Sequence, residues 1–153
     1  MFIYYILAAI IVAVDQFTKF LTVQNIDLYE TVEVIPNVLS WMYIRNTGAA
    51  WSILEGQMWF FYLITIIVVG AVIYYLQKFG KNSRLFSIAL ALILAGSIGN
   101  FIDRIRLEYV IDMVRLEFIN FPIFNVADMS LSIGVFLMII FVFIDERNEK
   151  KKH

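Results

Sequence analysis

A chain of 153 residues that is 61% hydrophobic and only 16% charged is too apolar for a soluble domain, where about 45–50% and about 25% are usual. Its formal charge of −1 offers no basic surface to nucleic acid. It has no cysteine, and its single histidine is His153. Disulfides, cysteine nucleophiles, Cys-ligated zinc and the Ser-His-Asp triad are therefore excluded. No metal or cofactor is expected, and any chemistry falls to carboxylates, Lys, Arg, Asn and hydroxyls.

Four apolar runs follow one another, approximately 2–23, 58–76, 85–103 and 128–144. Each is near the ~20 residues that a helix needs to cross ~30 Å of hydrocarbon. The first holds Asp15 and Lys19 and has no basic leader or small-residue cleavage site, so it reads as a retained span. The connection 24–57 is long. Thr31–Ile35 and Val38–Ile44 are β-rich on either side of Pro36-Asn37, which predicts a hairpin. Asn46-Thr47-Gly48 then breaks it, and Ala50–Leu54 reads as a short interfacial helix. Trp41, Trp51 and Trp59 suit the headgroup level. In the connection 104–127, Val110–Phe118 is a candidate further strand. The expected fold is a mainly α membrane protein, one domain over 1–153, with four transmembrane helices and a small extracytoplasmic β-sheet.

The loop Gln77–Arg84 and the tail from Arg147 are basic, whereas Asp27, Glu30, Glu33 and Glu55 dominate the first long connection. By the positive-inside rule both termini are cytoplasmic and the two long connections face outward. Arg104, Arg106 and Arg115 run against that rule, which marks the third connection as a place where cations are needed. At 1.5 Å per residue, Asp103 lies about 27 Å along the third helix and Asp128 about 24 Å above Ile144. Asp112 can fold back to the same level.

Ionisable side chains at that depth are costly, so their default reading is functional. Asp112 and Asp128 together could hold one proton between them, supplying an acid and a base toward water. The plainer reading makes Asp128 the N-cap of the fourth helix and Asp112 a strand-end turn residue. Asp15 and Lys19, four apart on one helix face, are a structural clamp or else aim Lys19 at substrate or lipid phosphate. Arg104 either pairs with Asp103 or orients an aspartate. Asn46 and Gly48 are turn residues or hydrogen-bond an extended substrate. Ala91, Ala95 and Gly99 recur at every fourth position, which lets helices approach closely. A proton-linked carrier and a structural scaffold remain as other function classes.

Taken together, Asp15-x-x-Thr18-Lys19, Asn46-x-Gly48-Ala49-Ala50-Trp51, Gly99-Asn100-x-Ile102-Asp103-Arg104, Val110-x-Asp112 and Phe124-Asn125-x-Ala127-Asp128 resemble lipoprotein signal peptidase, the type II signal peptidase of bacteria. Each block alone is weak, but five in order across nearly the whole chain are specific. The resemblance implies an aspartyl endopeptidase of the bacterial inner membrane that cuts diacylglyceryl-modified prolipoproteins just before the lipidated cysteine. It makes Asp112 and Asp128 the catalytic pair. Asn46, Gly48, Asn100, Arg104 and Asn125 become dyad-supporting or substrate-binding residues, and Asp15, Lys19 and Asp103 architectural ones. It also implies an outer β-cradle and inhibition by the cyclic peptide globomycin. Membrane lipid is a further expected contact, and nothing in the sequence demands more than a monomer. Two departures stand out. Ala95 replaces a second glycine, an expected loosening of helix packing, and Met113 replaces a phenylalanine, an expected reshaping of the pocket wall.

Overall fold

A computed structural model describes residues 1–48 and 54–150. Its elements in chain order are α1 (Phe2–Asn25), β1 (Thr31–Ile35), β2 (Leu39–Asn46), α2 (Met58–Phe79), α3 (Arg84–Leu107), β3 (Val110–Leu116) and α4 (Val126–Lys150). All four helices are long and apolar enough to cross a membrane, with mean hydropathies of 1.8 to 2.4. They outrun the apolar runs by up to six residues at one end, because α3 continues through Arg104 and Arg106 and α4 through Arg147. Charged side chains at a helix end can reach water, so the helix need not stop where its apolar run does. The expected interfacial segment Ala50–Leu54, Trp51 included, lies outside the described residues up to Ile53, as do Lys151 to His153.

Helix α3 is central. Half of its apolar window is buried, against 17–22% for each of the others, and it packs on α1, α2 and α4. Leu90 and Leu94 meet Ala8, Val72 and Leu76 in an apolar core. Its small residues bring α4 close: a Cβ on Gly96 would lie 2.8 Å from the Leu131 backbone nitrogen. From the opposite side, a Cβ on Gly134 would lie 2.9 Å from the Ala89 carbonyl oxygen. Ala95 has no exposed surface and packs in the α1–α2 core. The residue in intimate contact with α4 is its neighbour Gly96, so alanine at 95 costs that seam nothing.

The three strands form one antiparallel sheet in the order β1–β2–β3. Asn37, at φ 59°, makes the expected turn between the first two. The sheet sits at the end of the bundle where α1 and α3 finish and α2 and α4 begin. Tyr43, Ile111 and Met113 pack against Ile26 and Leu107 and fasten it there. Trp41 does more than mark an interface: its indole N–H donates to the Thr22 hydroxyl at 2.8 Å and ties β2 to α1.

Side chains on a strand alternate between faces, so burying Ile111 and Met113 in that core aims Asp112 the other way. Met113 has no exposed surface and lies outside the cavity that Asp112 faces. The expected change in the pocket wall is therefore corrected to a change in the packing beneath the sheet.

Candidate active site

Helix α4 starts with Asn125-Val126-Ala127-Asp128, a reciprocal capping arrangement. The Asn125 side-chain oxygen accepts from the Asp128 backbone N–H at 2.9 Å, and Asp128 Oδ2 accepts from the Asn125 N–H at 3.1 Å. Asn125 is thus the cap and Asp128 the third helical residue, which corrects the expectation that Asp128 is the N-cap. Asp112 likewise is no strand-end turn residue. It stands inside β3 opposite Ile44, with 1% of its surface exposed.

The same asparagine joins the two acids. Asn125 Nδ2 donates to Asp112 Oδ1 at 2.6 Å and to Asn100 Oδ1 at 3.0 Å. Asn100 Nδ2 in turn donates to Asp128 Oδ1 at 2.6 Å, and Asn46 Nδ2 donates to Asp112 Oδ2 at 2.9 Å. Each amide is oriented by a partner that can only donate: Gly48 N–H on Asn46 Oδ1, Lys19 Nζ on Asn100 Oδ1 and the Asp128 N–H on Asn125 Oδ1. All three NH₂ groups are therefore turned toward a carboxyl, with no ambiguity between oxygen and nitrogen. Burial first, and then the Asp128 charge, push the Asp112 carboxyl up to about 7 against the Asn46 and Asn125 hydrogen bonds. An acid so placed exchanges its proton near neutral pH.

Behind this row lies a fully desolvated ion cluster. Lys19 Nζ is 2.9 Å from Asp15 Oδ2, 2.8 Å from Asp103 Oδ2 and 3.0 Å from Asn100 Oδ1. Three acceptors use all three ammonium protons, and Lys19 is only 2% exposed. It has no donor left for substrate or lipid phosphate. Asp15 Oδ1 also accepts from the Ala127 N–H at 2.8 Å, and Asp103 Oδ2 from the Ile111 N–H at 3.2 Å. The cluster thereby binds α1, α3, β3 and the first turn of α4 together.

Asp103 pairs with Lys19 and not with Arg104, its neighbour in sequence, because adjacent helical residues point in different directions. Arg104 Nη2 donates instead to the Gly48 carbonyl at 3.3 Å, with its guanidinium 4.4 Å from the Phe61 ring centre. Gln16, absent from the expected set, donates to Asp103 Oδ1 at 2.9 Å and to the Gly99 carbonyl at 3.2 Å. An amide beside Asp15 within an apolar run was the available signal.

Asn46, Gly48, Asn100, Arg104, Asp112 and Asp128 line one end of a cavity of about 630 Å³. Its remainder lies between α2 and α4, along α3, and is walled largely by Phe61, Ile64, Val68 and Leu131, with Thr65, Ser97 and Ser132. Acid and amide groups thus stand at the head of an apolar slot. A buried carboxyl, Asp112, and a half-buried one, Asp128, at the head of a slot able to take an apolar chain can work on a bond in that chain.

Comparison with known proteins points the same way. The family described as Signal peptidase (SPase) II matches residues 7–144. Lipoprotein signal peptidases from Listeria monocytogenes and Bacillus subtilis are 56% and 47% identical to this chain. They cover 96% and 98% of it, and the matches span 97% and 99% of those proteins. A solved bacterial membrane enzyme structure, determined by the in meso method at 2.3 Å resolution, superposes with a TM-score of 0.94 at 39% identity, over 100% of this chain and 94% of that one. Sequence, architecture and family match thus agree that this multi-pass bacterial membrane protein belongs to the signal peptidase II family.

Proposed function

We propose that this member of a family of proteases that cleave signal peptides from lipoproteins works as an aspartic endopeptidase, with Asp112 and Asp128 as its catalytic pair. One carboxylate takes a proton from water as the water oxygen attacks the scissile carbonyl, and the other carboxyl gives its proton to the carbonyl oxygen. Collapse of the tetrahedral species breaks the C–N bond, the leaving amine takes a proton, and the pair is left with one proton again. Asn46, Asn100 and Asn125 hold the carboxyls, and Arg104 with the Gly48 backbone borders the reacting bond. The observation that carries this reading is the Asn125 side chain, hydrogen-bonded to Asp112 and, through its cap, to Asp128.

The apolar slot takes the signal helix with its end unwound, and the cut falls just before the cysteine that bears the diacylglyceryl group. Acyl chains remain in the surrounding lipid. The basic loop Lys78–Arg84 and the basic tail support cytoplasmic termini, with the site at the extracytoplasmic face. The partners of this reading are diacylglyceryl-modified prolipoproteins and, as an inhibitor, globomycin, with the enzyme acting as a monomer.

Cleavage of a lipidated substrate peptide by purified protein in detergent tests it. Asp112→Asn and Asp128→Asn are expected to lose at least 10³-fold in kcat while remaining folded. Normal processing by Asp128→Asn defeats the assignment.

A further inference from the structure

Three hydroxyls interrupt the apolar wall of the slot: Thr65 on α2, Ser97 on α3 and Ser132 on α4. A hydroxyl on an apolar helix ordinarily turns back on a backbone carbonyl. Thr65 does so, donating to the Phe61 carbonyl at 2.7 Å, and Ser130, outside the slot, donates to the Leu92 carbonyl at 3.0 Å. Ser97 and Ser132 do not. Neither has a hydrogen-bond partner among the described residues, and both open on the slot, Ser97 half-buried and Ser132 exposed.

Their level is set by the head of the slot, where Asn100 on α3 donates to Asp128 on α4 at 2.6 Å. Ser97 precedes Asn100 by three residues on the helix that ends at the site, and Ser132 follows Asp128 by four on the helix that begins there. These spacings keep each serine on the helix face of its partner. At 1.5 Å per residue, both serines lie about 4.5–6 Å into the slot from that head. A peptide extended at about 3.3 Å per residue reaches that level about two residues before its cut bond. There the signal helix has given way to extended chain. The last carbonyls of a helix, and the N–H groups of the residues unwound beyond it, have no partner within their own chain. The adjoining wall of Ile64, Val68 and Leu131 offers them none. Left unpaired in an apolar slot, each such group is costly. A hydroxyl both donates and accepts, so it satisfies either kind.

We propose that Ser97 and Ser132 hydrogen-bond the substrate backbone about two residues before the cut bond, holding the unwound end of the signal segment in line with the dyad. The assignment rests on the peptidase reading above. The test pairs changes in the enzyme with changes in the substrate backbone. One lipidated peptide is all amide, and in two others the amide on either side of the second residue before the cut bond is replaced by an ester. An ester lacks the N–H and is a weaker acceptor. Wild type is expected to lose about 3- to 10-fold in kcat/KM on at least one ester, the worth of one hydrogen bond. Ser97→Ala and Ser132→Ala should each lose about as much on the all-amide peptide, and the variant carrying both should show no further penalty from the ester. All should keep the wild-type midpoint of unfolding in detergent, since no partner within the protein is lost. Wild-type kcat/KM in the doubly substituted variant, an ester penalty as large there as in wild type, or a lowered midpoint overturns the proposal. Failure of wild type to cut the all-amide peptide overturns the peptidase reading itself, and this subsite with it.

Discussion

Asn125 has no exposed surface, and its two amide atoms have separate tasks: the oxygen caps α4 and the nitrogen holds Asp112. Asn125→Ala removes both. Loss of the cap costs about 1 kcal/mol. Loss of a charge-assisted bond to a buried carboxyl costs about 1.5–3 kcal/mol, while Asn100 Oδ1 keeps Lys19 and is not orphaned. The expected destabilisation is therefore about 3 kcal/mol, read as a lowered midpoint of thermal unfolding in detergent. Asn125→Ser separates the tasks, since a serine hydroxyl can cap the Asp128 N–H but is too short to reach Asp112. Serine should restore about 1 kcal/mol and none of the activity. Both variants should lose about 10- to 100-fold in kcat, the kinetic equivalent of the missing bond. The Asn125 bond also lowers the Asp112 pKa, so the alkaline limb of the pH–rate profile should move upward in both. A serine variant with wild-type rate and profile, or one as unstable as alanine, would refute this division of labour.

Four further outcomes follow from the geometry. Cleavage by wild type should fall as pH rises through about 7, where Asp112 gives up the proton that the acid step needs. Stability should change in the same direction. A carboxyl raised on folding adds stability that is complete below its unfolded value near 4 and is lost as pH climbs through about 7, and a melting series of wild type against Asp112→Asn, which removes the slope, checks it. Lys19→Met strands Asp15 and Asp103 without their cation, at roughly 3–5 kcal/mol; adding Asp103→Asn should recover part of it, a coupling measurable by a double-mutant cycle in detergent. Gly96→Ala forces α4 away and should cost about 1–3 kcal/mol with loss of cleavage, whereas Gly70→Ala, with nothing within 4 Å of the added carbon, should leave both unchanged.

The four spans were legible because hydropathy over some twenty residues is decided by the bilayer and by little else. The hairpin was legible because Pro36-Asn37 suits a tight turn in a β-rich stretch. The two carboxyls stood out for being charged where charge is costly. What the sequence hid was pairing. Asp103 precedes Arg104, yet its partner is Lys19, a choice set by how α3 rotates against α1. Helix α4 begins at Val126, two residues before the apolar run that marks it in the sequence, so the cap falls to Asn125 and not to Asp128. Met113 could be given a face only once the strand's register was known, because a shift of one residue inverts every side chain. Gln16 occupies an unspecified position of its motif block, so only its place beside Asp15 in an apolar run distinguishes it.

The Asp15–Lys19 contact bears on how the chain enters its membrane. These two side chains are four residues apart on one helix, and Asn100, a further partner of Lys19, is made 81 residues after it. During synthesis, therefore, the first segment meets the bilayer long before Asp103 or Asn100 exists. The local contact lets acid and base neutralise one another through that interval, so α1 can insert without an unmatched charge and wait for α3 to complete the cluster.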